Sequence, residues 1–132
     1  MDILHDQGPR IVVISSSELG GDGDLIALGS KRTSDGTSQR VRYRIDKFPV
    51  SFVGTGDLFA ALLMAWLDRA DNDLKKSLDN VISTMQAVLK RTYQYAKLNG
   101  GPSPATLELK LIQSKSDIEE PVVTSTGNVI VN

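Results

Sequence analysis

Several residue types that mark common kinds of functional site are missing or scarce in this sequence. It contains no cysteine and a single histidine, His5, which excludes disulfides, thiolate metal sites, cysteine nucleophiles and any site built from several histidines. The net charge is −1 at pH 7, so the composition gives no electrostatic reason to expect nucleic acid or an anionic membrane as partner. The lack of cysteine also fits a protein of a reducing compartment.

Nothing in the sequence indicates a membrane span or an export signal. The uncharged run at residues 58–67 is shorter than the roughly 18 apolar residues that a spanning helix needs. The first residues lack the basic start and apolar stretch of a signal peptide. With 40% hydrophobic and 23% charged residues in 132 positions, we expect one globular domain in the cytoplasm.

The first half of the chain reads as a set of strands. Residues 11–14 are apolar and mostly β-branched, which predicts a strand buried on both faces. A turn signal at residues 20–23 precedes a second apolar run at 25–28, and residues 31–39 carry an Asp-Gly hairpin tip. Residues 40–48 alternate arginine with apolar side chains, which predicts a half-buried strand near a sheet edge.

The second half reads mainly as two helices. Residues 57–68 are apolar nearly all round, so we expect protein to cover most of this helix. A cap cluster at 71–73 opens a second helix that continues to about Leu98, where glycines and a proline stop it. Alternation of leucine with charged residues at 107–111 predicts a strand, and residues 122–131 are expected to be extended or loosely held.

The chain also begins as if a helix were ending, since Ile3 and Leu4 run into Gly8-Pro9. A parallel sheet needs several crossover units, and too few are visible here. We therefore expect residues 1–132 to be the carboxy-terminal part of a larger α/β protein.

The run Gly54-Thr55-Gly56-Asp57 is the strongest candidate for chemistry. Glycines allow backbone N–H groups to approach a ligand, and the start of the following helix offers unpaired N–H donors to an anion. A carboxylate at that point could take a proton from a hydroxyl while the amides hold a phosphoryl group, which suggests phosphoryl transfer to an alcohol. The alternatives are that Asp57 caps the helix and that the glycines shape a turn. No lysine follows the glycines, so a Walker-type loop is unsupported.

Other candidates have two interpretations each. Ser15 and Ser16 follow a predicted strand, and ligands bind at strand ends in open α/β sheets, but a simple strand-to-loop transition fits equally well. Arg40, Arg42 and Arg44 form either a solvated strand face or a contact for ATP phosphates or a partner. Trp66 is expected in the core, and His5 on the surface.

The stretch from Phe52 to Trp66, FVGTGDLFAALLMAW, strongly resembles the signature of eukaryotic pyridoxal kinases, which belong to the ribokinase-like superfamily. Further similar segments are VLKRT at residues 88–92, PSP at 102–104, LEL at 107–109 and QSKSDIE at 113–119. The start of the chain, residues 8–17, is similar too. The resemblance therefore extends over nearly the whole chain.

This resemblance implies a ribokinase-like α/β sandwich, here its carboxy-terminal part with an incomplete, mostly parallel central sheet. It implies transfer of the γ-phosphate of ATP to the 5′-hydroxymethyl group of pyridoxal, pyridoxine or pyridoxamine, assisted by Mg²⁺ and a monovalent cation (K⁺ or Na⁺), in a homodimeric parent enzyme. Asp57 matches the family's catalytic base and contacts the substrate, and Gly54, Thr55 and Gly56 match its anion hole. The remaining matches are to the ATP site: Ser15, Ser16, Phe48, Phe52 and Leu89. No residue matches a metal ligand.

The resemblance also implies that much of the family's substrate pocket, sheet and metal-managing acidic residues lies outside this chain. The loop at residues 18–25 looks shorter than the family's. Two alternatives therefore stay open. One is a non-catalytic fragment or isoform that binds nucleotide weakly or associates with a full-length subunit. The other is a kinase for a different alcohol, such as a hydroxymethylpyrimidine.

Overall fold

The structure is a computed structural model that describes residues 1–18 and 23–130. Most of the predicted turn at 20–23, half of the loop at 18–25, and residue 131 of the tail lie outside the described residues. The elements in chain order are α1 (Asp2–His5), β1 (Ile11–Ser17), β2 (Leu25–Arg32), β3 (Ser38–Ile45), α2 (Thr55–Arg69), α3 (Leu74–Leu98), a 3₁₀ turn (Ile112–Ser114), α4 (Lys115–Glu119) and β4 (Asn128–Ile130).

The described strands form one sheet in the order β1-β2-β3-β4, and every neighbouring pair is antiparallel. The expectation of a mostly parallel sheet is therefore wrong for this part of the fold. The physical reason is the short connections: β2 and β3 are joined by a tight turn in which Gly36 adopts φ +85°. Such a turn links antiparallel neighbours, whereas parallel neighbours need a crossover of about a dozen residues or more.

The strands differ in how they are buried. In β3 the inward Val41 and Tyr43 are almost inaccessible while Arg42 and Arg44 are exposed, which confirms the predicted alternation. In β1 only Val12 is buried, so the prediction that this strand is covered on both faces is wrong. The reason is its position: β1 lies at the edge of the sheet, and α3 packs mainly against β2 and β3.

The core lies between the sheet and α3. Asp73 caps this helix by accepting a hydrogen bond from the Lys76 N–H at 3.0 Å, as the cap cluster predicted. Leu74 and Leu78 of the first turns are fully buried. They approach β2 at Gly29, where an added Cβ would lie 2.5 Å from Leu78 Cδ1. Glycine at this position therefore sets how closely helix and sheet pack.

The second helix packs differently from its prediction. Phe59 and Leu62 are the buried residues of α2, whereas Met64 is 74% exposed. Three alanines near Met64 on α2 are also exposed: Ala60, Ala61 and Ala65. The expectation that protein covers most of the helix is thus wrong for the chain by itself, because the described residues leave this side exposed.

The segment after α3 is held to that helix by side-chain hydrogen bonds rather than by a strand. The Arg91 guanidinium donates to Asp117 at 2.7 Å and to Ser114 at 2.6 Å. The predicted strand at residues 107–111 is wrong, since these residues form turns and irregular backbone. The Lys110 N–H donates to the Thr92 hydroxyl at 3.1 Å, so the backbone is anchored to a helix side chain instead of a sheet neighbour.

His5 is 3% exposed, so its predicted surface position is wrong. Its Nδ1 donates to the Pro9 carbonyl at 2.8 Å, and its Nε2 lies 2.8 Å from the Ser30 hydroxyl of β2. The short helix α1 folds back on the sheet, where Asp2 also pairs with Arg40 at 2.5 Å. The hydrogen bond from Arg40 lowers the pKa of Asp2 below its ordinary value.

Candidate active site

The loop that enters α2 presents backbone N–H groups rather than side-chain caps. Gly54 is the N-cap residue and has φ +85° and ψ 4°, a left-handed conformation that strongly favours glycine. The first hydrogen bond of the helix runs from the Leu58 N–H to the Gly54 carbonyl at 3.1 Å. The N–H groups of Thr55, Gly56 and Asp57 precede that bond, so they have no partner within the helix and form the positive end of its dipole.

One side of this loop forms the end of a cavity of about 300 Å³. All the residues predicted for phosphate and ATP contacts line it except Gly54. They come from separate elements and from the loops beside them: Ser15, Ser16, Phe48, Phe52, Thr55, Gly56 and Leu89. The structure therefore brings together residues that are far apart in the chain.

The cavity has one helical wall and one aromatic wall. A single stripe of α3 supplies Ile82, Met85, Gln86 and Leu89, which follow one another at the spacing of one helix face. Phe48 and Phe52 also line the cavity, and their rings meet edge to face with centroids 5.6 Å apart. Phe48 also packs on Tyr93 of α3 at 5.6 Å, which fixes the aromatic wall against the helix.

Some polar residues of this cavity were missed by the sequence analysis. Lys47 and Glu18 form an ion pair of 3.1 Å between two exposed side chains, and both line the cavity, as does Asp46. No sequence motif marks these loop residues. Gln86 left a readable signal, because it is a polar residue within the apolar stripe of α3.

Asp57 and Gly54 line a second cavity, of about 890 Å³, on the other side of the loop. Its opposite wall comes from residues 102–111, which follow α3. Asp57 is exposed and lies in the first turn of α2, where the helix dipole also stabilises a carboxylate. The N-cap position belongs to Gly54. The catalytic role of Asp57 and the anion-binding role of the loop stay predictions.

The described residues offer little to a metal ion. Across residues 1–18 and 23–130, no group of three or more His, Asp or Glu side chains lies close enough together to hold one. In the same part of the chain, no helix is both long and apolar enough to cross a membrane.

The arginine row lies away from both cavities. Arg40 pairs with Asp2, and Arg44 pairs with Asp24. Arg42 is exposed, and none of the three lines either cavity. This arrangement fits the interpretation of a solvated strand face. Trp66 is half-buried and packs against the core, with the Arg69 guanidinium 5.6 Å from its ring centroid.

Comparisons with known proteins point to one family, although no family model matches the chain. A pyridoxal kinase of Sus scrofa is 50% identical over 141 aligned positions, which cover 98% of this chain and 44% of that protein. The pyridoxal kinase of Homo sapiens is 45% identical and is covered to 45% of its length. This chain therefore spans less than half the length of these relatives.

The fold agrees with these relatives. The structure of a pyridoxal kinase from Leishmania donovani in complex with ADP superposes with a TM-score of 0.85 at 23% identity, covering 98% of this chain and 43% of that one. The similarity confirms the ribokinase-like α/β fold that the sequence predicted. Taken with the sequence identities, it shows that this chain is similar over almost its whole length to part of the pyridoxal kinases.

Proposed function

We propose that residues 1–132 form the nucleotide-binding, catalytic-loop part of a pyridoxal kinase, at the carboxy-terminal end of the domain. Within such an enzyme, the γ-phosphate of ATP passes to the 5′-hydroxymethyl group of a B6 vitamer, yielding the 5′-phosphate as in vitamin B6 salvage. The proposal agrees with the ADP bound to the Leishmania donovani relative. A cytoplasmic location also stays part of the proposal.

The observation that carries this proposal is the position of the Gly54-Thr55-Gly56-Asp57 loop between two cavities. Thr55 and Gly56 line the cavity that has the aromatic wall, while Asp57 lines the cavity on the other side. A phosphoryl donor on the first side and an alcohol on the second would meet at the start of α2. The helix N–H groups there would contact the group in transfer.

In the proposed mechanism, Asp57 accepts the proton of the substrate hydroxyl as its oxygen attacks the γ-phosphorus. The new O–P bond forms in line with the bond between the γ-phosphorus and the β,γ-bridging oxygen. That bond breaks, and the bridging oxygen leaves as part of ADP. N–H groups of the loop hold negative charge on the equatorial oxygens. Positioning and electrostatic stabilisation therefore supply most of the rate enhancement, as in other phosphoryl transfers.

Mg²⁺ and a monovalent cation are the metals expected of such a reaction, where a bound Mg²⁺ neutralises phosphate charge. Among residues 1–18 and 23–130, no group of three or more His, Asp or Glu side chains is placed to hold Mg²⁺. We therefore assign no metal ligand to this chain and derive no step from a metal.

The test is ATP-dependent phosphorylation of pyridoxal by the purified chain, compared with Asp57→Asn. Asp68→Asn is the matched control, because Asp68 is also exposed on α2 and lies three helical turns away. Removal of a general base typically costs about 10²- to 10⁴-fold in rate. Loss of activity in Asp57→Asn with normal activity in Asp68→Asn supports the proposal. Equal activity in the wild type and both variants contradicts the role of Asp57.

A second candidate function is association with a full-length kinase subunit, with weak nucleotide binding and no catalysis by this chain itself. The exposed apolar side of α2 favours it, since Met64 is 74% exposed beside several alanines and such surfaces are commonly covered by protein. Val53, in the loop before α2, is 83% exposed. Sedimentation of the chain alone and mixed with a full-length kinase distinguishes self-association, including the homodimer expected of the parent enzyme, from mixed assembly.

A further inference from the structure

One side of the first strand has no partner strand. β1 lies at the end of the strand order and pairs with β2 alone among the described strands. Exposed edges are commonly protected from pairing by charged side chains or proline, and the residues of β1 include neither. Its register shift falls between Ile14 and Ser17, so residues 11–14 stay regular. This edge is therefore a template for a further strand.

The hydrogen-bond pattern shows which backbone groups of β1 point outward. The Arg32 N–H donates to the Arg10 carbonyl at 2.8 Å, so these two residues are a hydrogen-bonded pair of the antiparallel ladder. Hydrogen-bonded and non-hydrogen-bonded pairs alternate along such a ladder. Counting from Arg10, Ile11 and Val13 belong to the non-hydrogen-bonded pairs. Their N–H and C=O groups therefore point away from β2.

The opposite edge of the sheet is protected. It is formed by β4, which is only three residues long, and a very short edge strand is one way in which proteins block pairing. The Thr33 N–H donates to the Thr37 carbonyl at 2.9 Å, and alternation from this pair directs the backbone groups of Val41 toward β2. Val41 and Val129 are therefore a non-hydrogen-bonded pair, and the Val129 N–H points outward.

The edge of β1 is complementary to itself. A second copy that runs antiparallel about Val12 places Ile11 of each copy opposite Val13 of the other, so every outward N–H and C=O of these residues finds a partner. Arg10 of each copy then lies opposite Ile14 of the other, so no like charges meet. Because β1 is the only long edge of the described sheet, this pairing closes as a two-fold symmetric dimer and does not continue into a fibre.

We propose that the edge of β1, residues 11–14, is an interaction surface at which two copies of this chain join their sheets into one. A second copy is the occupant that the chain itself supplies, and its edge matches in length, charge and hydrogen-bond spacing. The inference goes beyond the proposed function, because neither Ile11 nor Val13 lines either of the two cavities described above. The exposed side of α2 is not part of this surface.

The experiment is sedimentation velocity over a wide range of protein concentration, on the wild-type chain, Ile11→Pro and Val129→Pro. Proline at position 11 removes the outward N–H and places its ring in the path of a second strand. Ile11 is the first residue of β1, where proline is tolerated, and the ladder to β2 does not use its N–H. Val129→Pro is the matched control, because it makes the same change on the opposite edge of the sheet.

We expect the wild type and Val129→Pro to dimerise with the same dissociation constant. Ile11→Pro should raise that constant at least about tenfold, since a hydrogen bond is lost in each half of the dimer. Circular dichroism shows whether the variants keep the fold. Amide hydrogen exchange of the wild type needs no variant: the Ile11 and Val13 amides should be protected at high protein concentration and exchange rapidly at low concentration, while the Val129 amide exchanges rapidly at both.

Other results overturn the proposal. A wild-type chain that stays monomeric at every concentration, with unprotected Ile11 and Val13 amides, leaves this edge to a strand of another protein. A dimer that Ile11→Pro leaves intact, or that Val129→Pro disrupts instead, shows that the contact lies elsewhere. If Ile11→Pro does not fold, the exchange measurement decides alone. None of these results bears on nucleotide binding, which ADP titration tests separately.

Discussion

Substituting alanine at each of the two loop glycines separates the phosphate-binding interpretation of the loop from the turn-shaping one. Gly54 has φ +85°, so an L-residue there is strained whatever the space around it. Gly56 is in α2 without a positive φ, and an added Cβ would meet nothing within 4 Å. The two glycines thus have different structural requirements even though the sequence shows them as a symmetrical pair.

The expected effects of these substitutions differ in kind. Gly54→Ala should destabilise the fold by about 1–2 kcal/mol, the cost of a left-handed conformation for an L-residue, which lowers Tm by roughly 3–8 °C. Gly56→Ala should leave Tm unchanged or raise it, because alanine is the better helix former. Its methyl group, however, would occupy the space where phosphate oxygens contact the backbone.

Crowding of that kind costs about 1–3 kcal/mol, which corresponds to roughly a five- to hundredfold loss of ADP affinity for Gly56→Ala. The assays are thermal unfolding followed by circular dichroism and calorimetric titration with ADP. A stable Gly56→Ala variant with weakened ADP binding supports the anion hole. A Gly56→Ala variant that binds ADP like the wild type would refute it and leave the glycines as residues that only shape the turn.

Two further predictions concern the core and its pH dependence. Leu78→Ala should reduce the free energy of unfolding by about 2–5 kcal/mol, because Leu78 is 0% exposed and its truncation leaves a cavity against Gly29. Urea unfolding measures this loss. A loss below about 1 kcal/mol would contradict this packing. Burial, followed by the hydrogen bond to Asp79, raises the pKa of Tyr43 well above its ordinary value of 10.0. The folded protein therefore favours the neutral phenol of Tyr43. The contribution of this group to the free energy of unfolding is complete below pH 10 and is lost as the pH rises above 10. Urea unfolding between pH 8 and 11 should show a smaller alkaline loss in Tyr43→Phe than in the wild type, and identical losses would show that Tyr43 does not contribute.

The sequence pattern was sufficient to predict which residues are buried where burial depends on the element's own residues. The alternation in β3 and the apolar period of α3 predicted their inward faces, and Asp73 caps α3 as its position indicated. These features depend on side chains a few residues apart, which the sequence displays directly.

The sequence pattern was insufficient to predict positions that depend on contacts with an element far away in the chain. His5 is adjacent to the amino terminus, yet it docks on Ser30 of β2, a contact between residues 25 positions apart. The alternating leucines at 107–111 resemble a strand, but Thr92 of α3 accepts the hydrogen bond from Lys110. Strand direction likewise depends on connections and could not be derived from the apolar runs.

The candidate site was predictable in its residue types and only partly in its arrangement. The resemblance identified the loop and seven of the residues that line the first cavity. It did not indicate that Asp57 and Thr55 line different cavities, because that separation follows from how residues 102–111 fold back toward α2. Gln86 was missed, although it is visible in the sequence as a polar residue in an apolar stripe, because that pattern does not show that a cavity lies beside it.

The most direct test of the central claim is an ADP titration of the ¹⁵N-labelled chain, followed by amide chemical shifts. The account predicts saturable shifts concentrated at Ser15, Ser16, Thr55 and Gly56, which line the first cavity, with little change at the hairpin tip around Gly36. Absence of saturable shifts in the folded chain, or shifts centred on the second cavity alone, would contradict the assignment of the first cavity to nucleotide.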